Sequence, residues 1–63
     1  MGDEMFMTLQ AVRKLRQATP EQVAKKIDWE GSPTAINNRL AFLFRNFLLT
    51  RKKVGREWIY RLP

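Results

Sequence analysis

Two dipeptides, Thr19-Pro20 and Ser32-Pro33, stand thirteen residues apart in this sequence. Each is a capping residue followed by a proline. A threonine or serine hydroxyl accepts from the N–H of the second or third helical residue, satisfying a donor that has no partner within the helix. Proline at the first helical position costs nothing, because its missing N–H would be unpaired there anyway. Gln22, three residues after Thr19, completes a capping box. Two helix starts this close leave room between them for one short helix and a tight turn. The segment Asp28 to Ser32, DWEGS, reads as that turn.

The other elements follow from periodicity. Met5, Leu9, Val12 and Leu15 recur at helical spacing, with Ala11 widening the stripe and Arg13, Lys14, Arg16 and Gln17 on the wet side. This predicts a first helix over about residues 5–17. The second helix is expected over about 20–27, burying Val23, Ala24 and Ile27, with Glu21 and the pair Lys25 and Lys26 complementing the dipole at its two ends. A third, over about 33–46, gathers Ile36, Leu40, Leu43 and Phe47 on one side and Thr34, Asn38, Ala41 and Arg45 opposite, with Asn37 and Phe44 on a flank. Asn46 is expected to close it in the left-handed conformation. Beyond it the period falls to two. Leu48 to Arg51 reads as a strand, KKVGR as a turn around Gly55, and Glu57 to Leu62 as a second strand in which Trp58, Tyr60 and Leu62 alternate with Ile59 and Arg61. The expected class is α+β: one domain over 1–63, three helices and then a hairpin over about 48–62.

A chain of 63 residues buries only about 60% of its unfolded surface, so its core is small. With no cysteine and no histidine, it lacks disulfides, thiolate metal sites and the commonest general base. Its few acids form no inward-facing pair, and no phosphate loop is present, so neither an enzyme nor a cofactor or metal site is expected. No apolar run is long enough to span a bilayer. The start carries acids where a secretory signal would carry bases, which fits a cytoplasmic or nucleoid-associated location. The net charge is +6, and it is unevenly placed. Residues 1–31 hold five basic and five acidic side chains, whereas residues 32–63 set Arg39, Arg45, Arg51, Lys52, Lys53, Arg56 and Arg61 against Glu57 alone. Concentrated positive charge points to a polyanionic partner.

Taken in order, TPEQVAKKI, SPTAINNRLAFLFRNF and LLTRKKVGREWIYRLP resemble the winged helix-turn-helix DNA-binding domain of small transcriptional regulators. The resemblance covers Met5 to Leu62, and Leu49, Arg51, Gly55, Tyr60 and Leu62 fit the spacing of its wing. It implies that the third helix enters the major groove of double-stranded DNA, with Thr34, Asn37 and Asn38 reading bases. Ser32, Arg39, Arg45, Arg51, Lys52, Lys53 and Arg56 would lie on phosphates, the wing's cations pointing out and its aromatic rings in. A narrower resemblance, to winged helices that bind left-handed DNA, matches at Asn37 and Trp58 but has Ala41 where a tyrosine belongs and no proline in the wing.

Each feature also has a plainer reading. Aromatics at these spacings are more often core than a stacking platform for single strands, and Phe47 and Trp58 are expected inside. Phe42 and Phe44 cannot both face inward on one helix. Trp29 suits a lid on the core, a partner contact or a backbone contact with DNA. Met5, Phe6 and Met7 exceed what one face of the first helix can bury, which suggests a homodimer through that end. The alternatives to a duplex binder are a winged-helix protein–protein module and a binder of RNA or single strands; a membrane-surface role is disfavoured because the bases sit on a turn.

Overall fold

The chain leaves each helix through a residue of positive φ that is not glycine. The computed structural model describes residues 2–63. Helix α1 spans Asp3–Leu15, β1 Gln17–Ala18, α2 Pro20–Lys26, α3 Pro33–Arg45, β2 Thr50–Val54 and β3 Glu57–Arg61. Arg16, Asp28 and Phe47 follow the three helices with φ of 71°, 55° and 62°. After α2, Trp29 N–H bonds Ala24 O at 2.8 Å and Asp28 N–H bonds Lys25 O at 3.3 Å. After α3, Leu48 N–H bonds Leu43 O at 2.9 Å and Phe47 N–H bonds Phe44 O at 3.1 Å. Both pairs form the Schellman arrangement, which satisfies carbonyls that the helix leaves open.

The helix starts rest on local chemistry. Thr19 Oγ1 accepts from Gln22 N–H at 3.3 Å, and Gln22 Oε1 accepts from Thr19 N–H at 3.0 Å. Ser32 Oγ accepts from Ala35 N–H at 3.3 Å. Helix α1 starts two residues before Met5, because Asp3 and Glu4 put negative charge at its positive end.

Several expectations are corrected. The first helix ends at Leu15, not Gln17. The positive-φ turn at Arg16 releases Gln17 and Ala18 to pair antiparallel with Arg61 and Tyr60 of β3. The sheet therefore has three strands in the order β1-β3-β2, and β1 covers an edge that a two-stranded hairpin would leave open. Asn46 is not left-handed: its φ is −96°. It closes α3 instead with its side chain, whose amide donates to Phe42 O at 2.8 Å. In the hairpin, Lys52, Lys53 and Val54 belong to β2 rather than to the turn, since Val54 pairs with Glu57 and leaves only Gly55 and Arg56 between. Gly55 has φ +64°, the conformation that the first central residue of a type II′ turn requires.

The core joins Ala11 and Val12 of α1, Val23 of α2, Ile36, Leu40 and Leu43 of α3, and Ala18, Leu49 and Tyr60. Burying each of the larger aliphatic side chains stabilises the fold by about 1.5–3 kcal/mol. Thr8 is also fully buried, its hydroxyl donating to Glu4 O at 2.9 Å. Phe47 and Trp58, both expected inside, lie outside this core, at 88% and 37% exposed. The left-handed backbone at Phe47 swings its ring off the α3 stripe on which the spacing placed it.

Candidate nucleic-acid interface

The outer face of α3 is polar because its inner face is taken by Ile36, Leu40 and Leu43. Thr34, Asn37 and Asn38 are exposed on it, as are the capping Ser32 at its start and Arg45 at its end. The wing lies alongside. A cleft of about 450 Å³ runs between Asn37, Asn38 and Ala41 of α3 and Arg51, Arg56 and Trp58 of the wing. Ala41 keeps it open, because a larger side chain at that position would fill it.

The hairpin register divides the basic side chains between the two faces of the sheet. Arg51 is opposite Tyr60 and Lys53 opposite Trp58, so these four share one face. Lys52 is opposite Ile59 and Thr50 opposite Arg61, on the other face, where Gln17 of β1 joins them. The expected separation of cations outward and rings inward therefore fails at Arg51. Its guanidinium carbon lies 4.2 Å from the ring centroids of both Phe44 and Trp58, and its Nη1 donates to the Tyr60 hydroxyl at 3.2 Å. Lys53 stays exposed, with Nζ 5.7 Å from the Trp58 ring. Cation–π contacts of this kind are worth about 0.5–2 kcal/mol, rising with desolvation.

Arg39 is also held within the chain. Its Nη2 donates to Glu4 Oε2 at 2.7 Å, its guanidinium lies 4.2 Å over the Trp29 ring, and its side chain is only 15% exposed. Trp29 in turn donates from Nε1 to Ser32 O at 3.0 Å. The chain Glu4–Arg39–Trp29–Ser32 thus ties the start of α1 to the turn between α2 and α3. Among the described residues Arg45, Lys52, Lys53, Arg56 and Arg61 have no carboxylate within 4.0 Å; the ion pairs are Arg39–Glu4 and, on α2, Lys25–Glu21 at 3.5 Å.

Phe44, Trp58 and Tyr60 as partners of Arg51 are not apparent in the sequence reading. The signal that would have found them is Val-Gly-Arg-Glu as a two-residue hairpin loop, which sets Arg51 across from Tyr60. Arg61 is a further exposed cation outside the expected set. At the start of α1, Phe6 and Met7 are each more than half exposed, whereas Met5 packs against the core. No helix among the described residues is long and apolar enough to cross a membrane.

No family model matches the chain, and no curated protein matches its sequence. Among solved structures, the fold is similar to that of the AntR antimony-specific transcriptional repressor, with a TM-score of 0.85 and 21% sequence identity. The superposition covers 98% of this chain and 54% of that one, so the chain spans about half the length of the repressor. Three helices, a helix–turn–helix joined at Asp28–Ser32, and a C-terminal hairpin packed beside the third helix give this chain the winged helix-turn-helix fold.

Proposed function

We propose that the chain binds double-stranded DNA as a small transcriptional regulator, with α3 in the major groove and the wing on the phosphate backbone. One observation carries this reading: Thr34, Asn37 and Asn38 are exposed on α3 beside a wing whose Lys52, Lys53 and Arg56 have no acidic partner among the described residues. The fold likeness to a transcriptional repressor supports it. Asparagine offers adenine a paired donor and acceptor, and threonine offers a hydroxyl or meets a thymine methyl. Ser32, Arg45, Lys52, Lys53 and Arg56 are the proposed phosphate contacts. Arg39 and Arg51, also expected on phosphates from the sequence, are left out of that set because each is bound inside the chain. Four cations on phosphates give a log–log salt slope of about −3 to −4.

Labelled duplex titrated with the protein at several salt concentrations, with and without mixed-sequence competitor, tests the reading. Absence of binding at low salt, or affinity indifferent to salt, rules it out. A protein–protein role is disfavoured by the unpaired cations on the wing. The exposed Phe6 and Met7, which with Ile27 line an apolar groove between α1 and the end of α2, suit a homodimer interface in the same reading. Sedimentation at micromolar concentration tests it, and a single 7.5 kDa species excludes it.

A further inference from the structure

Helix α3 packs mainly on α1 and α2, and its backbone makes few close approaches to the wing. The wing is held by the pairing of β3 with β1 and by β3 against α1 and α2, so the side chains that bridge the cleft are its direct link to α3. Arg51 is the side chain placed to form that link. It leaves β2, takes the Phe44 ring of α3 and the Trp58 ring of β3 at 4.2 Å each, and is anchored by Nη1 on the Tyr60 hydroxyl. Phe44 lies on the same stripe of α3 as Ala41 and Asn37, three and seven residues earlier. A guanidinium held there joins the wing to the flank of the helix that carries Asn37.

We infer that Arg51 is a positioning residue: its stacked guanidinium fixes the wing at the angle to α3 that lets one duplex meet both. The inference rests on the DNA-binding reading above and deepens it. Only arginine suits the role, because a planar cation presents two faces to two rings, while a lysine ammonium is a point charge that cannot fill the same slot. A wing held before binding spares the ordering that a loose one would need on contact with DNA. The residue acts through geometry, and its charge is already engaged by the rings.

The test uses the full chain and its Arg51→Lys, Arg51→Gln and Phe44→Leu variants, each checked for folding by circular dichroism. In the free wild-type protein, the Arg51 side-chain proton resonances are expected upfield of ordinary arginine positions, since the currents of two rings 4.2 Å away act on the guanidinium. Ordinary positions overturn the inference without any DNA. Against a short duplex recovered from a random pool, Arg51→Lys and Phe44→Leu are expected to bind about tenfold more weakly although the first keeps the charge. Wild-type affinity in Arg51→Lys overturns the inference. In Arg51→Gln the salt slope is expected to match wild type, whereas a slope shallower by about one returns Arg51 to the phosphate contacts. A wild-type chain that retains no duplex defeats the DNA reading instead, and the Arg51 resonances then still decide whether the clamp exists.

Discussion

A β-carbon on Gly31 would lie 2.5 Å from Cζ2 and 2.7 Å from Cε2 of Trp29. The indole cannot swing away cheaply, because its Nε1 is bonded to Ser32 O and Arg39 stacks on its face. Gly31 is thus required by close approach. Gly31→Ala is expected to cost about 1–3 kcal/mol, measured by urea unfolding. In a Trp29→Leu background the same change should cost much less, because the clashing ring is gone. Equal costs in the two backgrounds would show that the indole is not what Gly31 accommodates.

Phe47 offers the opposite opportunity. It holds φ 62° with its ring almost wholly exposed, so the fold bears left-handed strain and recovers little burial from it. A non-glycine residue in this region costs on the order of 1–3 kcal/mol, partly offset in glycine by its greater freedom when unfolded. Phe47→Gly is expected to raise the melting temperature by about 4–8 °C, the shift that roughly 1 kcal/mol gives a domain of this size. A lower melting temperature would mean that the ring contributes a contact the fold depends on.

Leu40 is fully buried at the centre of α3. Leu40→Ala should cost about 2–5 kcal/mol, a large part of what a chain of this length holds in reserve. Calorimetry should show the melting transition broadened and moved down by tens of degrees, or lost. A conserved transition would place the core elsewhere.

The wing and α3 should separate in binding assays. Replacing Lys52, Lys53 and Arg56 together by glutamine is expected to weaken all duplexes alike and to make the salt slope shallower by about two to three. Asn38→Ala should leave the slope unchanged and flatten the preference between sequences, at about 1–3 kcal/mol for a lost bidentate contact. Alanine favours helix over asparagine, so a loss of preference here would not come from unfolding. Sequence preference that survives Asn38→Ala would move base reading to Thr34 and Asn37.

Glu4 gives a smaller test of the network around Trp29. Its carboxylate is the anionic partner of Arg39 at 2.7 Å but is itself 76% exposed. Glu4→Gln should therefore lower stability by under about 1 kcal/mol, with a visible change in tryptophan fluorescence as Arg39 loosens over Trp29. An unaltered emission spectrum would show that the arginine holds its stack without the acid.

What the sequence by itself determined is where α2 and α3 begin and which stripe of α3 faces inward. The capping box at Thr19 and Gln22, the cap at Ser32 and the row Ile36, Leu40 and Leu43 are set by residues three or four apart, whose chemistry acts within one turn. Helix ends were legible in position for α2 and α3, but not the backbone conformation that makes them, and not the stop of α1 at Leu15. Arg16 and Phe47 are poor signals for a positive-φ stop, whereas aspartate tolerates one, so at Arg16 and Phe47 the chain turns because the packing that follows demands it. Strand β1 is two residues long, too short to show a period, and exists because β3 offers it an edge. The fates of Arg39 and Arg51 were likewise decided by the tertiary structure. Their partners Glu4, Phe44 and Trp58 lie 35, 7 and 7 residues away in sequence, and only the folded chain brings a charge to rings and acids at such distances.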